Sequence, residues 1–185
     1  METVKIIECP RDAMQGITSR FIPTKQKIRY LNALLKVGFD TIDFGSFVSP
    51  KAIPQMRDTA EVLQGLELSD TRSKLLAIVA NLRGAEEACT FEEIGYIGYP
   101  FSVSEIFQMR NTGKTIEESL VLLGQILELA SQKNKEVVAY LSMGFGNPYG
   151  DPWNADIISR WAQTLSGLGI KILSLSDTVG LADTK

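Results

Sequence analysis

Histidine is absent from all 185 residues. This chain alone therefore lacks the commonest general base near neutral pH and the commonest transition-metal ligand. A metal site made here would have to be built from carboxylate and amide oxygens. Cysteine is scarce as well: Cys9 and Cys89 have neither metal-ligand spacing nor the density of a disulfide scaffold, and both are expected to be reduced and buried. No apolar run, Leu75 to Ala80 among the longest, approaches the roughly 18 residues of a membrane span. The first residues carry no apolar signal region, so a cytoplasmic location is the expectation. No Lys/Arg-rich run occurs, and the net charge of -3 with a pI of about 5.1 points away from nucleic acid or a membrane surface as partner. Anionic small molecules remain open through local Arg and Lys. Neither a Gly-x-Gly-x-x-Gly turn after the first strand nor a Gly-Lys-Ser/Thr phosphate loop is found.

What is present is composed like one globular domain, residues 1–185, with 44% hydrophobic and 22% charged residues. No repeat, low-complexity segment or linker divides it. Strand-like segments recur at 3–8, 41–45, 74–81, 94–98, 136–142 and 170–176, with a helical pattern after each, six βα units in all. Most are apolar on both faces, as parallel strands covered by helices should be. Thr115 with Glu118 reads as a capping box ahead of the stripe Ile116, Leu120, Leu123 and Leu127. Ser102 with Glu105 reads as another. Ser49 before Pro50 reads as an N-cap with proline at the first helical position, and Asn154 with Asp156 suits the start of a helix through Trp161. Ile28, Leu31 and Leu35 give the first long helix its core face, and the glycine-rich piece 144–151 is a loop after the fifth strand. Six parallel units fit a doubly wound sheet or part of an eight-stranded barrel. The missing dinucleotide and phosphate motifs favour the α/β choice of a (β/α)8 TIM barrel, here incomplete with six of its eight units.

Polar clusters fall at the carboxyl ends of these strands, where a β/α barrel keeps its active site. They are Arg11/Asp12/Gln15, Asp43/Ser46, Ser142 with the glycine loop, and Ser176/Asp177/Thr178. Each has a plain structural reading, as a loop ion pair, a turn cap, turn glycines or a helix cap. Their common placement on one rim raises the functional reading. Asp12 is the best first-strand ligand for a hard divalent cation, and Arg11 beside it suits a developing oxyanion.

In register along 5–185, Pro10-Arg11-Asp12-Ala13-Met14-Gln15, Ser46-Phe47-Val48-Ser49-Pro50-Lys51 with Pro54-Gln55-Met56, Ser104-Glu105 with Ile116-Glu117-Glu118-Ser119, and Ser174-Leu175-Ser176-Asp177-Thr178-Val179-Gly180 resemble the hydroxymethylglutaryl-CoA lyase family of DRE-TIM metallolyases. The resemblance implies a TIM barrel that uses Mg or Mn to cleave hydroxymethylglutaryl-CoA into acetoacetate and acetyl-CoA. It implies Arg11 as the group that polarises the thioester carbonyl and Asp12 as a metal ligand. It further implies catalytic roles for Asp43 and Asp177, and substrate contacts from Arg11, Gln15, Ser46 and Ser142. The chain departs from the family pattern where Cys9, Ala13 and Ser176 replace glycines, Asn147 replaces a cysteine, and Asp43 stands for a glutamate. The family's His-x-His metal pair, loop cysteine and later asparagine fall beyond Lys185, so the other metal ligands are expected there and these 185 residues alone are expected to be inactive. The implied partner is a small acyl-CoA. Two unpaired sheet edges are expected to make the isolated 185 residues self-associate or dissolve poorly, and a homo-oligomer is expected. The alternatives are a related DRE-TIM aldolase or Claisen synthase acting on another acyl-CoA or 2-oxo acid, and a non-catalytic partial barrel that works by association.

Overall fold

The computed structural model describes residues 4–183, so Thr3, the first residue of the expected opening strand, lies outside them. The elements run β1 (Ile7–Glu8), α1 (Pro10–Gln15), α2 (Thr24–Leu35), β2 (Thr41–Ser46), a 3-10 turn (Pro54–Met56) and α3 (Thr59–Gln64). They continue with β3 (Lys74–Ile78), α4 (Leu82–Cys89), β4 (Ile94–Ser102), α5 (Glu105–Thr112), α6 (Ile116–Gln132), β5 (Glu136–Ser142), α7 (Ala155–Leu168) and β6 (Ile172–Leu175).

All six strands are parallel and lie in the order β1-β2-β3-β4-β5-β6. That order decides between the two architectures. A doubly wound sheet reverses its strand order at a switch point, whereas consecutive order with right-handed crossovers keeps every helix on one face, as in a barrel wall. The chain is an α/β open barrel of six strands. Its helix-covered face holds the large core, in which Ile42, Phe44, Leu75, Ala77, Ile97, Tyr99, Phe101, Val137, Ala139 and Leu141 pack under the helices. The opposite face carries a second, smaller cluster of Leu76, Ile78, Tyr96 and Val138 with Tyr140 and Ile172. These alternate in sequence with the first set, as period-two strands require, and they line the concave side.

Strand ends differ from the sequence pattern for local reasons. β1 keeps only two paired residues because among the described residues it bonds to β2 alone, and Val4 and Ile6 before it are exposed. β4 runs past Pro100, which costs it one ladder donor. Burial of Phe101, whose ring lies 5.3 Å from that of Trp161, carries the strand on to Ser102. β3 stops at Ile78, and Asn81 accepts from Gly84 N to begin α4.

Three further expectations are corrected. Ser49-Pro50 does not start a helix: Ser49 O accepts from Ala52 N and Ile53 N in a turn, and α3 begins at Thr59. Ser102 does not cap α5; it ends β4, and the N-cap is Ser104, which accepts from Phe107 N. Glu105 instead accepts from Ile116 N at the start of α6. Cys9 is exposed, and only Cys89 is buried, because Cys9 follows the short edge strand directly. The capping box of Thr115 and Glu118 is present with both of its bonds, and Asn154 caps α7.

Thr115 satisfies one of the unpaired amides of the longest helix, which buries Ile116, Leu122, Leu123 and Ile126 in the core. Thr115→Ala should lower the unfolding free energy by about 1 kcal/mol, while Thr115→Ser stays within a few tenths (about 0.3). Urea midpoints at unchanged slope check both.

Candidate active site at the carboxyl ends of the strands

β1 hands the chain to α1 with one intervening residue, Cys9, so Arg11 and Asp12, in the first turn of α1, sit at the mouth of the barrel. Proline at the first helical position fixes the entry. The side chain of Arg11, 8% exposed, reaches across to β2 and meets Asp43, which is 0% exposed. Arg11 Nε donates to both carboxylate oxygens at 3.1 Å, and Nη2 donates to Oδ2 at 2.5 Å. On its outer side Nη1 donates to Asp12 Oδ1 at 3.1 Å and to Gln15 Oε1 at 3.0 Å. Gln15 Nε2 closes the ring by donating to Asp12 Oδ1 at 2.8 Å. Of the five N–H groups of a guanidinium, four are thereby directed at described residues, and one on Nη2 is left over.

Burial alone would lower the pKa of Arg11, but the adjacent Asp43 and then Asp12 hold it above its ordinary value. For Asp43, burial is the larger influence and raises it, with Arg11 pulling the other way. The phenol of Tyr140 is raised by burial and by Asp43, so it keeps its proton and remains a donor. The Cys9 thiol is pushed up to about 11 by surrounding protein, then by Asp43, and stays protonated although the residue is exposed.

Two backbone devices shape the mouth. The register of β2 on β3 shifts between Asp43 and Gly45, a bulge that sets Asp43 opposite Leu76 and Ser46 opposite Ile78. Leu76 and Ile78 both belong to the concave face, so Asp43 and Ser46 share that face at an odd spacing a regular strand would forbid. Ser46 is 2% exposed, and its Oγ has no hydrogen-bond partner among the described residues. On the far side, Ser142 and Ser102 pair at the ends of β5 and β4, each next to a helix-facing residue, Leu141 or Phe101, and so in the inward register, while Met143 takes the left-handed region at φ 60. Thr178 Oγ1 accepts from Met143 N at 2.8 Å, tying the loop after β5 to the one after β6. Gly98 leaves room for this wall: a Cβ there would lie 2.5 Å from Ile78 Cδ1 and 3.1 Å from Tyr140 Cε2.

The structure thus joins Arg11, Asp12, Gln15 and Asp43 in one network and puts Ser46 and Ser142 on the concave rim. Asp177 stands at the same end of the sheet but does not join it. Its carboxylate is exposed and accepts from Leu181 N at 2.8 Å and Ala182 N at 3.1 Å, bonds that lower its pKa. Tyr140 was not singled out by sequence, although the alternation Val138, Tyr140, Ser142 carries it to the concave face. For a divalent cation, Asp12 offers a carboxylate whose side chain is 64% exposed, with Oδ2 outside every hydrogen bond above. Among the described residues no group of three or more His, Cys, Asp or Glu side chains comes together to hold a metal ion. Asp12 fits as one ligand, and the described residues do not complete a shell.

The HMGL-like family model matches residues 4–185. The chain is 34% identical over 181 residues to the mitochondrial hydroxymethylglutaryl-CoA lyase of Mus musculus, covering 96% of this chain and 54% of that protein. It is 35% identical over 182 residues to the hydroxymethylglutaryl-CoA lyase YngG of Bacillus subtilis, covering 94% and 57%. In structure it resembles a B. subtilis HMG-CoA lyase with TM-score 0.90 and 36% identity, covering 97% of this chain and 60% of that one. It also resembles an HMG-CoA lyase from A. baumannii in complex with coenzyme A and 3-methylmalate, with TM-score 0.89 and 30% identity, covering 97% and 58%. The chain spans a little over half the length of the curated relatives it matches.

Removing one partner of a buried ion pair leaves the other charge desolvated and unpaired. Asp43→Asn should therefore destabilise the fold by about 3–5 kcal/mol, far more than Asp12→Asn at the exposed end of the same guanidinium. Chemical denaturation of both variants decides this, and equal losses would mean that the inner arm does not hold Arg11.

Proposed function

This chain belongs to the HMGL-like family, and we propose that it contributes the Arg-Asp half of an active site that cleaves hydroxymethylglutaryl-CoA into acetoacetate and acetyl-CoA with a divalent cation, Mg or Mn. The observation that carries the reading is the guanidinium of Arg11, anchored on a fully buried carboxylate with one N–H to spare, beside the outward carboxylate of Asp12.

A retro-Claisen cleavage needs an electron sink at the thioester carbonyl and a means of removing the tertiary hydroxyl proton. In this reading the spare Nη2 N–H of Arg11 donates to the thioester oxygen as it becomes an enolate, a fixed cation placed where charge develops. Asp43 acts through Arg11, setting the plane of the fork, and Gln15 steadies both Arg11 and Asp12. Ser46, whose buried hydroxyl lacks a partner, and Ser142 on the facing rim hydrogen-bond substrate oxygens. Asp177 takes a catalytic role only if the turn it holds through Leu181 and Ala182 opens toward the mouth. Asp12 supplies one oxygen ligand, with the remaining ligands coming from outside the described residues. A cation held there would supply Lewis-acid stabilisation to the substrate hydroxyl oxygen, and the base that takes the hydroxyl proton and the acid that returns a proton to the enolate would, like the remaining ligands, come from outside the described residues. In the same reading residues 1–185 are the N-terminal portion of one barrel domain, the substrate is an acyl-CoA, and copies of the protein associate as a homo-oligomer. Sedimentation of the chain checks the last point, a monomer at high concentration counting against it. No described helix is long and apolar enough to cross a membrane.

A second reading, a related aldolase or Claisen synthase acting on another acyl-CoA or a 2-oxo acid, is favoured by one observation. Asp43 has one methylene fewer than the glutamate of the family pattern and is wholly occupied by Arg11, which alters the floor of the mouth. A panel of acyl-CoA and 2-oxo acid substrates separates the two.

To test the function, this chain is joined to the C-terminal part of a hydroxymethylglutaryl-CoA lyase, which supplies the remaining strands, and acetyl-CoA release is followed with Mg and with Mn. Turnover should require the cation. Arg11→Lys should retain cation binding and lose about 100-fold in rate, since a point charge cannot reproduce a planar fork. Asp12→Asn should weaken cation binding and depress turnover, because an amide oxygen lacks the charge a hard cation selects. Near-normal turnover in Asp12→Asn would show that the opening motif is not a metal site.

A further inference from the structure

The helix that presents Arg11, Asp12 and Gln15 has six residues and no side-chain cap at its N-terminus. A helix that short does not hold itself. Its support is found one loop further on. The segment between α1 and α2 makes no strand or helix of its own, and three of its backbone polar groups turn to a single side chain, Gln55 of the 3-10 turn. Gln55 Nε2 donates to Ile17 O at 2.6 Å and to Arg20 O at 2.5 Å, while its Oε1 accepts from Ile22 N at 3.0 Å. With both N–H groups and one oxygen engaged at 4% exposure, the amide stands in for a missing strand.

Gln55 is held in turn. Its backbone oxygen accepts from Lys27 Nζ, an ammonium on α2 that is 2% exposed. Lys27 Nζ also donates to Asp58 Oδ1 at 2.6 Å, and Asp58 Oδ2 accepts from Thr24 Oγ1 at 2.7 Å. The Phe21 ring lies 4.2 Å from Lys27 Nζ and 3.9 Å from the Arg57 guanidinium carbon. Both ends of the loop, residues 17–22 through Gln55 and Thr24 with Lys27 through Asp58, are therefore fastened to one short stretch, 55–58. None of these residues belongs to the reaction network around Arg11.

We propose that Gln55, seated by Lys27, is a positioning residue that latches the α1–α2 loop and thereby fixes the orientation in which α1 presents Arg11 to Asp43. The proposal rests on the reading of Arg11 as a reaction-site group, but its test needs no turnover.

Hydrogen exchange of the Arg11 Nε–H, observed by nitrogen-resolved NMR on the 185-residue chain, reports directly on the bond to Asp43. Gln55→Glu is nearly isosteric: it can still accept from Ile22 N but cannot donate to the Ile17 and Arg20 carbonyls. Gln55→Ala removes all three bonds. In both variants the Arg11 Nε–H and the Ala13 amide, which bonds to Cys9 O at 3.3 Å, should exchange about tenfold faster or more, relative to strand amides in β4 and β5, because a local opening accelerates only its own unit. Leu165→Ala, on the buried face of α7 at the other end of the sheet, is the control. It lowers global stability and should not raise that ratio. If Gln55→Ala does not fold, Gln55→Glu carries the reading. A ratio that does not rise in Gln55→Glu overturns the latch. Selective opening in a joined chain that nonetheless has no lyase activity would instead sink the functional reading and leave the latch standing.

Discussion

A carboxylate taken wholly out of water has to be paired or neutralised, and the paired solution organises one side of this molecule. Asp43 sits on the second strand with no exposed surface, and its partner cannot come from the same strand or from the helices that cover the opposite face. It comes from Arg11, the second residue of α1, across the β1–β2 edge. The pairing draws a short, uncapped helix over the mouth of the barrel, and that helix in turn needs the loop after it to be anchored. One desolvated charge thus accounts for the seat of Arg11, for the closeness of α1 to β2, and for the loop's dependence on groups that follow β2.

The concave face shows a comparable economy. Deep within it Leu76, Ile78, Tyr96 and Val138 fill space as an apolar floor. Toward the carboxyl ends the same inward positions turn to serine, at 46, 102 and 142. The bulge in β2 contributes to this change, because without the extra residue Ser46 would not share a face with Asp43. A site at that end is then polar at its rim and dry beneath, the setting in which a fixed donor acts most strongly on developing charge.

The sequence pattern was sufficient for the six-unit parallel order, the helix caps at Thr115 and Asn154, and the placement of Arg11, Asp12 and Asp43 at one rim, because each rests on local periodicity or on a neighbouring residue. It was misleading where two local solutions competed. Ser49-Pro50 has the composition of a helix start, yet the chain turns there and starts α3 ten residues later, at Thr59. Ser102 and Ser104 both precede Glu105, and only the strand register shows that the first is still in β4. Cys9 reads as a small apolar residue, but it lies between β1 and α1, after a strand that among the described residues has one neighbour. The latch at Gln55 is not legible in the sequence beyond the family motif that contains it, since its three bonds span more than thirty residues and leave no periodic trace. The bulge that aims Ser46 inward is equally invisible to a pattern that assumes strict alternation.

The two arms of Arg11 differ in one further respect. The contact with Asp43 lies where neither partner meets solvent, whereas Asp12 stands largely in water. Dissolved ions at physiological strength screen charges over about 8 Å in solvent and much less inside protein. The orientation of the guanidinium is therefore insensitive to salinity, while the attraction that Asp12 exerts on an approaching cation is set by the surrounding medium. The same residue pair in sequence combines a fixed electrostatic reference with a tunable one.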